Sequence, residues 1–395
     1  MNSLTANWNY PTAIRFGPGR IVELGGACAE IGVRRPLLVT DSGLAENPMV
    51  TTTVARLRGA GLPVEVFSAI AGDPTEIDVL AGIAALKAFQ ADGVIAFGGG
   101  SALDAGKAIA FAAYQSLPLW AFEDIGDNFK RADASKILPV IAVPTTAGTG
   151  SEVGRASVIK DTEAGLKRIL FHPAMMPRLV IADPLLSVSL PRKLTAAVGM
   201  DALSHNLEAY FAPGYHPFAR GIAVEGARLV KDWLPLAVAE PENIAARSNM
   251  LAAAEAGATA FQRGLGAMHA LAHPLGALYG VHHGLLNAVL MPYVLSANRP
   301  VIEANAGELA RLLGVGESFE DLLGWVLELR RQIGIPAKLS EAGVPDDEID
   351  RVARMATEDP SAATNPIQFT ADAYAGILRR AIKGDKLSAA IGGGQ

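Results

Sequence analysis

Four of the chain's seven histidines, His269, His273, His282 and His283, fall within fifteen residues, and a fifth follows a carboxylate by four positions in Asp201-Ala-Leu-Ser-His205. Residues four apart stack on one face of a helix, close enough to share one ion. A carboxylate with several imidazoles suits a divalent transition metal such as Fe(II) or Zn(II), whereas Ca or Mg takes mainly oxygen. This concentration of imidazoles predicts a metal site, against the blander reading of one core histidine among scattered surface ones. Spacing alone leaves His273, His282 and His283 open as the last ligand.

A second constellation is rich in glycine. Ile95-Ala-Phe-Gly98-Gly99-Gly100-Ser101-Ala-Leu-Asp104 follows an apolar run and opens a helical one. Glycines let a backbone approach a ligand closely, and a helix N-terminus presents unpaired N–H groups to an anion such as a pyrophosphate. Ser101 is the candidate N-cap. The usual dinucleotide fingerprint has its glycines after the first strand and an acid about 20 residues later. Here the acid comes first. Asp41 ends the first long apolar run, where a carboxylate could accept hydrogen bonds from an adenosine ribose and repel a 2′-phosphate. Pro144-Thr145-Thr146-Ala147-Gly148-Thr149-Gly150-Ser151 forms another small-residue loop whose hydroxyls and N–H groups could line the same crevice.

The elements that must hold these groups change character along the chain. Pro36–Thr40, Val64–Phe67, Gly93–Phe97, Leu138–Val143 and Leu179–Ala182 read as strands, with helical spacing over Pro48–Gly61 and Glu76–Ala91. Apolar strands between helices predict a parallel sheet covered on both faces. From Leu194 to about Arg380 the sequence is rich in Ala and Leu with helical periodicity, which predicts a separate helical bundle. The expected organisation is a domain over residues 1–190 and another over 191–395. With 395 residues, two cores are the first expectation. Half the residues are apolar and 19% are charged, which argues against disorder. A net charge of -6 offers no reason to bind nucleic acid or an anionic membrane, so the expected partners are small molecules. The single cysteine, Cys28, rules out a disulfide framework and a thiolate cage. Met1–Tyr10 lacks the pattern of a secretory leader, and no run is long enough to cross a bilayer, so the cytoplasm is the expected location. The tail from Lys383 to Gln395 is expected to fray.

Together these motifs resemble the iron-containing (group III) alcohol dehydrogenase family, in its lactaldehyde reductase and 1,3-propanediol dehydrogenase branch. The resemblance runs from Phe16-Gly-Pro-Gly19 to Asn365-Pro366. Its most specific parts are Gly98-Gly-Gly-Ser-x-x-Asp104, Pro144-Thr-Thr-Ala-Gly-Thr149, Gly199-x-Asp-Ala-Leu-x-His205 and His269-x-x-x-His273-Pro-x-Gly276, continuing to His283-Gly284. The resemblance implies an α/β N-terminal dinucleotide-binding domain (a parallel sheet with flanking helices), an all-α C-terminal domain and a metal in the interdomain cleft. It implies Asp201, His205, His269 and His283 as ligands of Fe(II), with Zn(II) as the other candidate, and His273 as the proton-relay residue. Implied contacts to NAD(H) are Asp41, Gly98, Gly99, Gly100, Ser101, Asp104, Thr145, Thr146 and Thr149, with Val158, Lys167 and Leu186 as more distant matches. Asp73 stands where relatives often carry Asn. A homodimer is implied as well.

The implied activity is NAD(H)-linked oxidation of a small primary alcohol, diol or hydroxy acid, or reduction of the aldehyde, by direct hydride transfer. The alternatives are a glycerol-dehydrogenase-like zinc polyol dehydrogenase, a maleylacetate-reductase-like enzyme and a dehydroquinate-synthase-like lyase. The maleylacetate-reductase type is disfavoured by a full ligand set, and the lyase should need several basic residues for a phosphorylated substrate. Departures at His282, Phe261-Gln-Arg-Gly264 and Arg155 bear on the substrate. Arg155 and Arg263 are candidates to hold a substrate carboxylate, against surface or ion-pair roles.

Overall fold

The computed structural model describes residues 10–70, 72–385 and 387. Residues 1–9, over which no secretory leader was expected, and most of the tail expected to fray therefore lie outside the described residues. The chain divides into two compact units, Tyr10–Leu190 with Glu242–Leu251, and Pro191–Pro241 with Ala252 onward.

The first unit contains β1 (Ala13–Phe16), α1 (Leu24–Glu30), β2 (Pro36–Asp41), α2 (Pro48–Gly59), β3 (Glu65–Ile70), α3 (Glu76–Phe89), β4 (Gly93–Gly98), α4 (Gly100–Ala112), β5 (Val140–Pro144), β6 (Ala156–Asp161), β7 (Leu166–Phe171) and β8 (Leu179–Ala182). Six strands form one sheet in the order β1-β8-β5-β4-β2-β3, every pairing parallel. The central strands β4, β5 and β8 are buried at every residue, as expected for a parallel sheet covered by helices on both faces. Leu38, Ile95, Ile141 and Ile181 project from four neighbouring strands into a core with Leu24 and Val54 of α1 and α2.

Local signals start the helices. Asn47 accepts from Met49 N ahead of Pro48, and Thr75 and Asp78 close a capping box on α3. Strand order then fixes where a ligand can lie. The chain leaves β2 for β3 on one side and returns to β4 on the other. The connections therefore part between β2 and β4 and leave a crevice at their carboxyl ends.

Two features were not expected from the sequence. Strand β1 is only four residues long, with Arg15 among them. The antiparallel pair β6–β7 carries Lys160, Lys167 and Arg168, so it lacks the continuous apolar signature of the central strands.

In the second unit lie α5 (Arg192–Phe211), α6 (Pro217–Ala239), α8 (Ala267–Tyr279), α9 (His283–Leu313), α10 (Phe319–Gln332), α11 (Ile349–Glu358) and α12 (Ala371–Lys383); α7 (Ile244–Ala260) begins in the first unit's residues and continues here. Among the described residues this unit has no strand. Helix α5 is its axis, buried from Thr195 to Phe211. Such burial on all sides suits Ala, Leu and Met, and makes each polar group on the helix one that must be paired.

Candidate metal centre and nucleotide crevice

Helix α5 presents Asp201, His205 and Glu208 at successive turns, all buried. Helix α8 brings His269 against them, its ring stacked on that of His205 with centroids 4.7 Å apart. One ligand atom each from Asp201, His205 and His269 lies within 4.8 Å of the others. His283, the first residue of α9, places Nε2 3.6 Å from Asp201 Oδ1, and its ring lies 5.1 Å from that of His269. Gly284 permits this approach, because a Cβ there would strike the Ala197 carbonyl oxygen and meet Asp201 Cβ at 3.1 Å. The four residues nominated as ligands are thus brought together. His282 stands exposed at the N-cap position of α9.

Asn287, one turn beyond His283, points its amide into the same cluster. Its Nδ2 donates to Asp201 Oδ1 at 2.9 Å and lies 3.1 Å from His283 Nε2 and 3.3 Å from His269 Nε2. Its Oδ1 is buried without a hydrogen-bond partner among the described residues. Burial works against an imidazolium at His269, but the carboxylates of Glu208 and Asp201 outweigh it and hold that imidazole's pKa above its ordinary value. A field that favours an extra proton favours a cation, so the donor set fits a divalent metal.

His273 lies one turn beyond His269. Its ring stacks on that of His283, with centroids 5.3 Å apart and planes 12° from parallel. His273 Nδ1 donates to Asp359 Oδ2 at 2.7 Å. The other oxygen of Asp359 accepts from Ser361 N at 2.8 Å, so both are occupied. Burial alone would raise the Asp359 carboxyl, but the charge and hydrogen bond of His273 hold it below the usual range.

The crevice between β2 and β4 gathers most of the nucleotide candidates. Asp41 Oδ1 accepts from Gly43 N and Leu44 N, both at 3.0 Å, in a turn, and Oδ2 faces Gly98. Thr145 N donates to Gly98 O at 2.9 Å, joining the two loops. Gly99 and Gly100 face Thr146 and Thr149, and a Cβ on Gly100 would meet Thr149 Cγ2 at 2.7 Å. The N-cap of α4 is Gly99, with no side-chain cap bond. This corrects the expectation for Ser101, whose hydroxyl instead donates to Gly72 O. An uncapped helix N-terminus with a glycine cradle fits a pyrophosphate.

Other candidates have partners of their own. Asp104 accepts from Ser151 Oγ and from Val158 N at 3.0 Å, and lies 3.3 Å from Lys107 Nζ, bracing α4 to β6. Lys167 pairs with Asp73 at 2.9 Å. Leu186 is buried in the apolar core. Arg263 donates to Gly214 O at 2.6 Å, Ala209 O at 2.9 Å and Tyr210 O, which closes the C-terminal end of α5 and leaves it a poor carboxylate clamp. Arg155 lies over the Phe171 ring at 5.4 Å, and no carboxylate among the described residues pairs with it.

Glu208, Asn287 and Asp359 were not expected in the site from the sequence. Glu208 was within reach, because it continues the Asp201 and His205 face by three positions. Asp359 was not, since it meets His273 across 86 residues.

Residues 11–184 match the family model described as iron-containing alcohol dehydrogenase, and residues 195–382 that of the C-terminal part of the Fe-containing alcohol dehydrogenase family. The chain belongs to the iron-containing alcohol dehydrogenase family. Among its relatives, 4-hydroxybutyrate dehydrogenase of Cupriavidus necator is 37% identical over 385 residues, covering 94% of this chain and 99% of that one. The crystal structure of a 1,3-propanediol oxidoreductase superposes with a TM-score of 0.90 at 35% identity, covering 95% of this chain and 100% of the other. Sulfoacetaldehyde reductase from Bifidobacterium kashiwanohense, in complex with NAD+, gives 0.87 at 29% identity, covering 96% and 100%. The parallel sheet and the helical C-terminal part are those of this family. The alternatives outside alcohol dehydrogenase chemistry are not favoured.

Proposed function

We propose that this iron-containing alcohol dehydrogenase is NAD(H)-linked and interconverts a small primary alcohol or diol with its aldehyde. The observation that carries this reading is the buried cluster of Asp201, His205 and His269, their ligand atoms within 4.8 Å, with His283 beside it. Four ligands of this kind suit Fe(II), with Zn(II) as the other candidate. NAD+ is supported by the carboxylate at the end of β2 and the uncapped glycine cradle of α4, and by the relative solved with it. We assign the enzyme to the cytoplasm, since no helix among the described residues is long and apolar enough to cross a membrane and the one cysteine forms no disulfide framework. A homodimer is the assembly that the family resemblance supports.

When bound, the metal would supply a Lewis acid for the substrate oxygen and the nicotinamide a hydride acceptor. The chain itself must hold the donor groups and move the proton. Asp359 takes Nδ1–H of His273, which leaves Nε2 as the basic atom that accepts the hydroxyl proton. Gly98, Gly99 and Gly100 supply close backbone approach and N–H groups for the diphosphate, and Asp41 Oδ2 is the acceptor for ribose hydroxyls.

The test is anaerobic reconstitution with Fe(II) or Zn(II), followed by a screen of small aldehydes with NADH. Metal-dependent oxidation of NADH is expected. Equal turnover after complete metal removal would overturn the reading.

A short hydroxy acid is the second reading, favoured by the relative named for 4-hydroxybutyrate and by Arg155, a half-buried cation with no carboxylate partner among the described residues. Each carboxylated substrate would be compared with its uncharged analogue in wild type and Arg155→Met. Loss of a carboxylate preference in the variant supports this reading, and no preference in wild type removes it.

A further inference from the structure

Glu208 lies behind the ligand cluster, 6% exposed and on the same face of α5 as Asp201 and His205. Its carboxylate has three donors around it. Met268 N donates to Oε1 at 2.7 Å, Gly266 N to Oε2 at 2.9 Å, and His269 Nδ1 approaches Oε2 at 2.6 Å. Both oxygens already accept from main-chain N–H groups, which leaves the ring nitrogen to act as donor. We infer that Glu208 is a positioning residue that holds His269 in its Nδ1–H tautomer, turns Nε2 toward Asp201 and so sets the metal affinity of the centre.

Three features of the surroundings favour this role over a purely structural one. The first concerns the donors. Glu208 caps N–H groups at the start of α8, the helix that carries His269, so one carboxylate fixes both the helix end and the ring. The second is the fit of the cradle. A Cβ on Gly266 would meet Glu208 Oε1 at 2.9 Å and Asn365 Oδ1 at 2.8 Å, so a glycine is needed to seat the carboxylate. Asn365 Oδ1 also accepts from Ala267 N at 3.0 Å, which occupies the neighbouring donor and keeps Glu208 in register. The third is the far side of the ring, where His269 Nε2 faces Asn287 Nδ2 at 3.3 Å among the other nominated ligands. A carboxylate on the rear nitrogen of a ligating imidazole fixes its orientation and increases the basicity of its front nitrogen. The charge count agrees, since Asp201 and Glu208 together balance a divalent ion.

This inference rests on the metal reading above, and two measurements keep them apart. The first uses metal-free wild type labelled with ¹⁵N in histidine, the His269 signals being identified by their loss in His269→Asn. At a pH high enough for the His269 ring to be neutral, a protonated Nδ1 and an unprotonated Nε2 are expected. The opposite tautomer would overturn the inference whatever the metal does. The second is a competition titration of Co(II) or Zn(II) against a chelator in wild type and Glu208→Gln, with thermal unfolding of both metal-free proteins alongside. The variant should bind metal about 10- to 100-fold more weakly, by more than any loss of metal-free stability would account for. Equal affinity in the folded variant would overturn the inference and leave the metal centre standing. Absence of metal binding in wild type would overturn the metal reading, and with it the role of Glu208 in metal affinity. Should Glu208→Gln fail to fold, the tautomer in wild type decides.

Discussion

Asp359 Oδ2 receives the Nδ1–H of His273 at 2.7 Å, and this one bond decides which face of the imidazole can meet a substrate. With Nδ1 occupied, Nε2 is the atom left to take or give a proton. His273→Ala should keep its metal and lose kcat by about 10²- to 10⁴-fold, the usual range for a general acid–base group. Asp359→Asn should keep the metal too, with a smaller loss, because the ring remains but its orientation is less well held. Metal analysis and steady-state kinetics on both variants check this, and an unchanged kcat in His273→Ala would remove the proton role.

Gly100→Ala should weaken cofactor binding. The new Cβ meets Thr149 Cγ2 at 2.7 Å and pushes apart the two loops that line the crevice. Overpacking of this kind typically costs 1–3 kcal/mol, so a rise of about tenfold or more in KM for NADH is expected if the strain falls on the bound state. Metal content should not change. An unaltered KM would show that the loops do not form the diphosphate site.

Asp41→Gly should improve the use of NADP(H) relative to NAD(H). Asp41 has one oxygen in the turn with Gly43 and Leu44, and the other faces Gly98. A 2′-phosphate near that oxygen meets like charge. Equal wild-type efficiency with both cofactors would contradict the placement.

Glu152 gives a pH-dependent prediction. Both its carboxylate oxygens are buried without hydrogen-bond partners among the described residues. Burial raises its pKa to about 7, with the nearby Lys107 pulling the other way. An acid whose folded pKa lies above its unfolded value contributes stability below the unfolded value. That contribution is lost as pH rises through the folded one. Glu152→Gln has no such proton to lose. Wild type should therefore lose stability relative to the variant as pH rises from about 4.5 toward 7. Denaturant unfolding across that window measures the difference, and a constant gap would count against an unusually high Glu152 pKa.

How much of this was legible in the sequence depended on range. Central strands such as Gly93–Gly98 announce themselves as continuous apolar runs because both faces of the sheet are covered. The hairpin of β6 and β7 did not, since its residues are only partly buried and carry charge at Lys160, Lys167 and Arg168. In the site, Asp201 and His205 were readable as a helical i, i+4 pair, and His269 with His273 likewise. What joins them was not. Asn287 reaches Asp201 across 86 residues, and Arg263 reaches the end of α5 from a three-residue 3₁₀ turn. Ser101 shows the limit of local rules. A serine after three glycines looks like a cap, yet the helix begins one residue earlier and the hydroxyl finds Gly72.

Asp201, His205, His269 and His283 are proposed to hold one divalent metal, and His273 to stand beside it without binding it. The most direct measurement is metal stoichiometry after anaerobic reconstitution with Fe(II), in wild type, His269→Ala, His283→Ala and His273→Ala. One ion per chain is expected in wild type and in His273→Ala, with loss of most bound metal in the other two, because a site reduced to three ligands holds an open-site ion poorly. Loss of metal in His273→Ala with retention in His283→Ala would contradict the assignment.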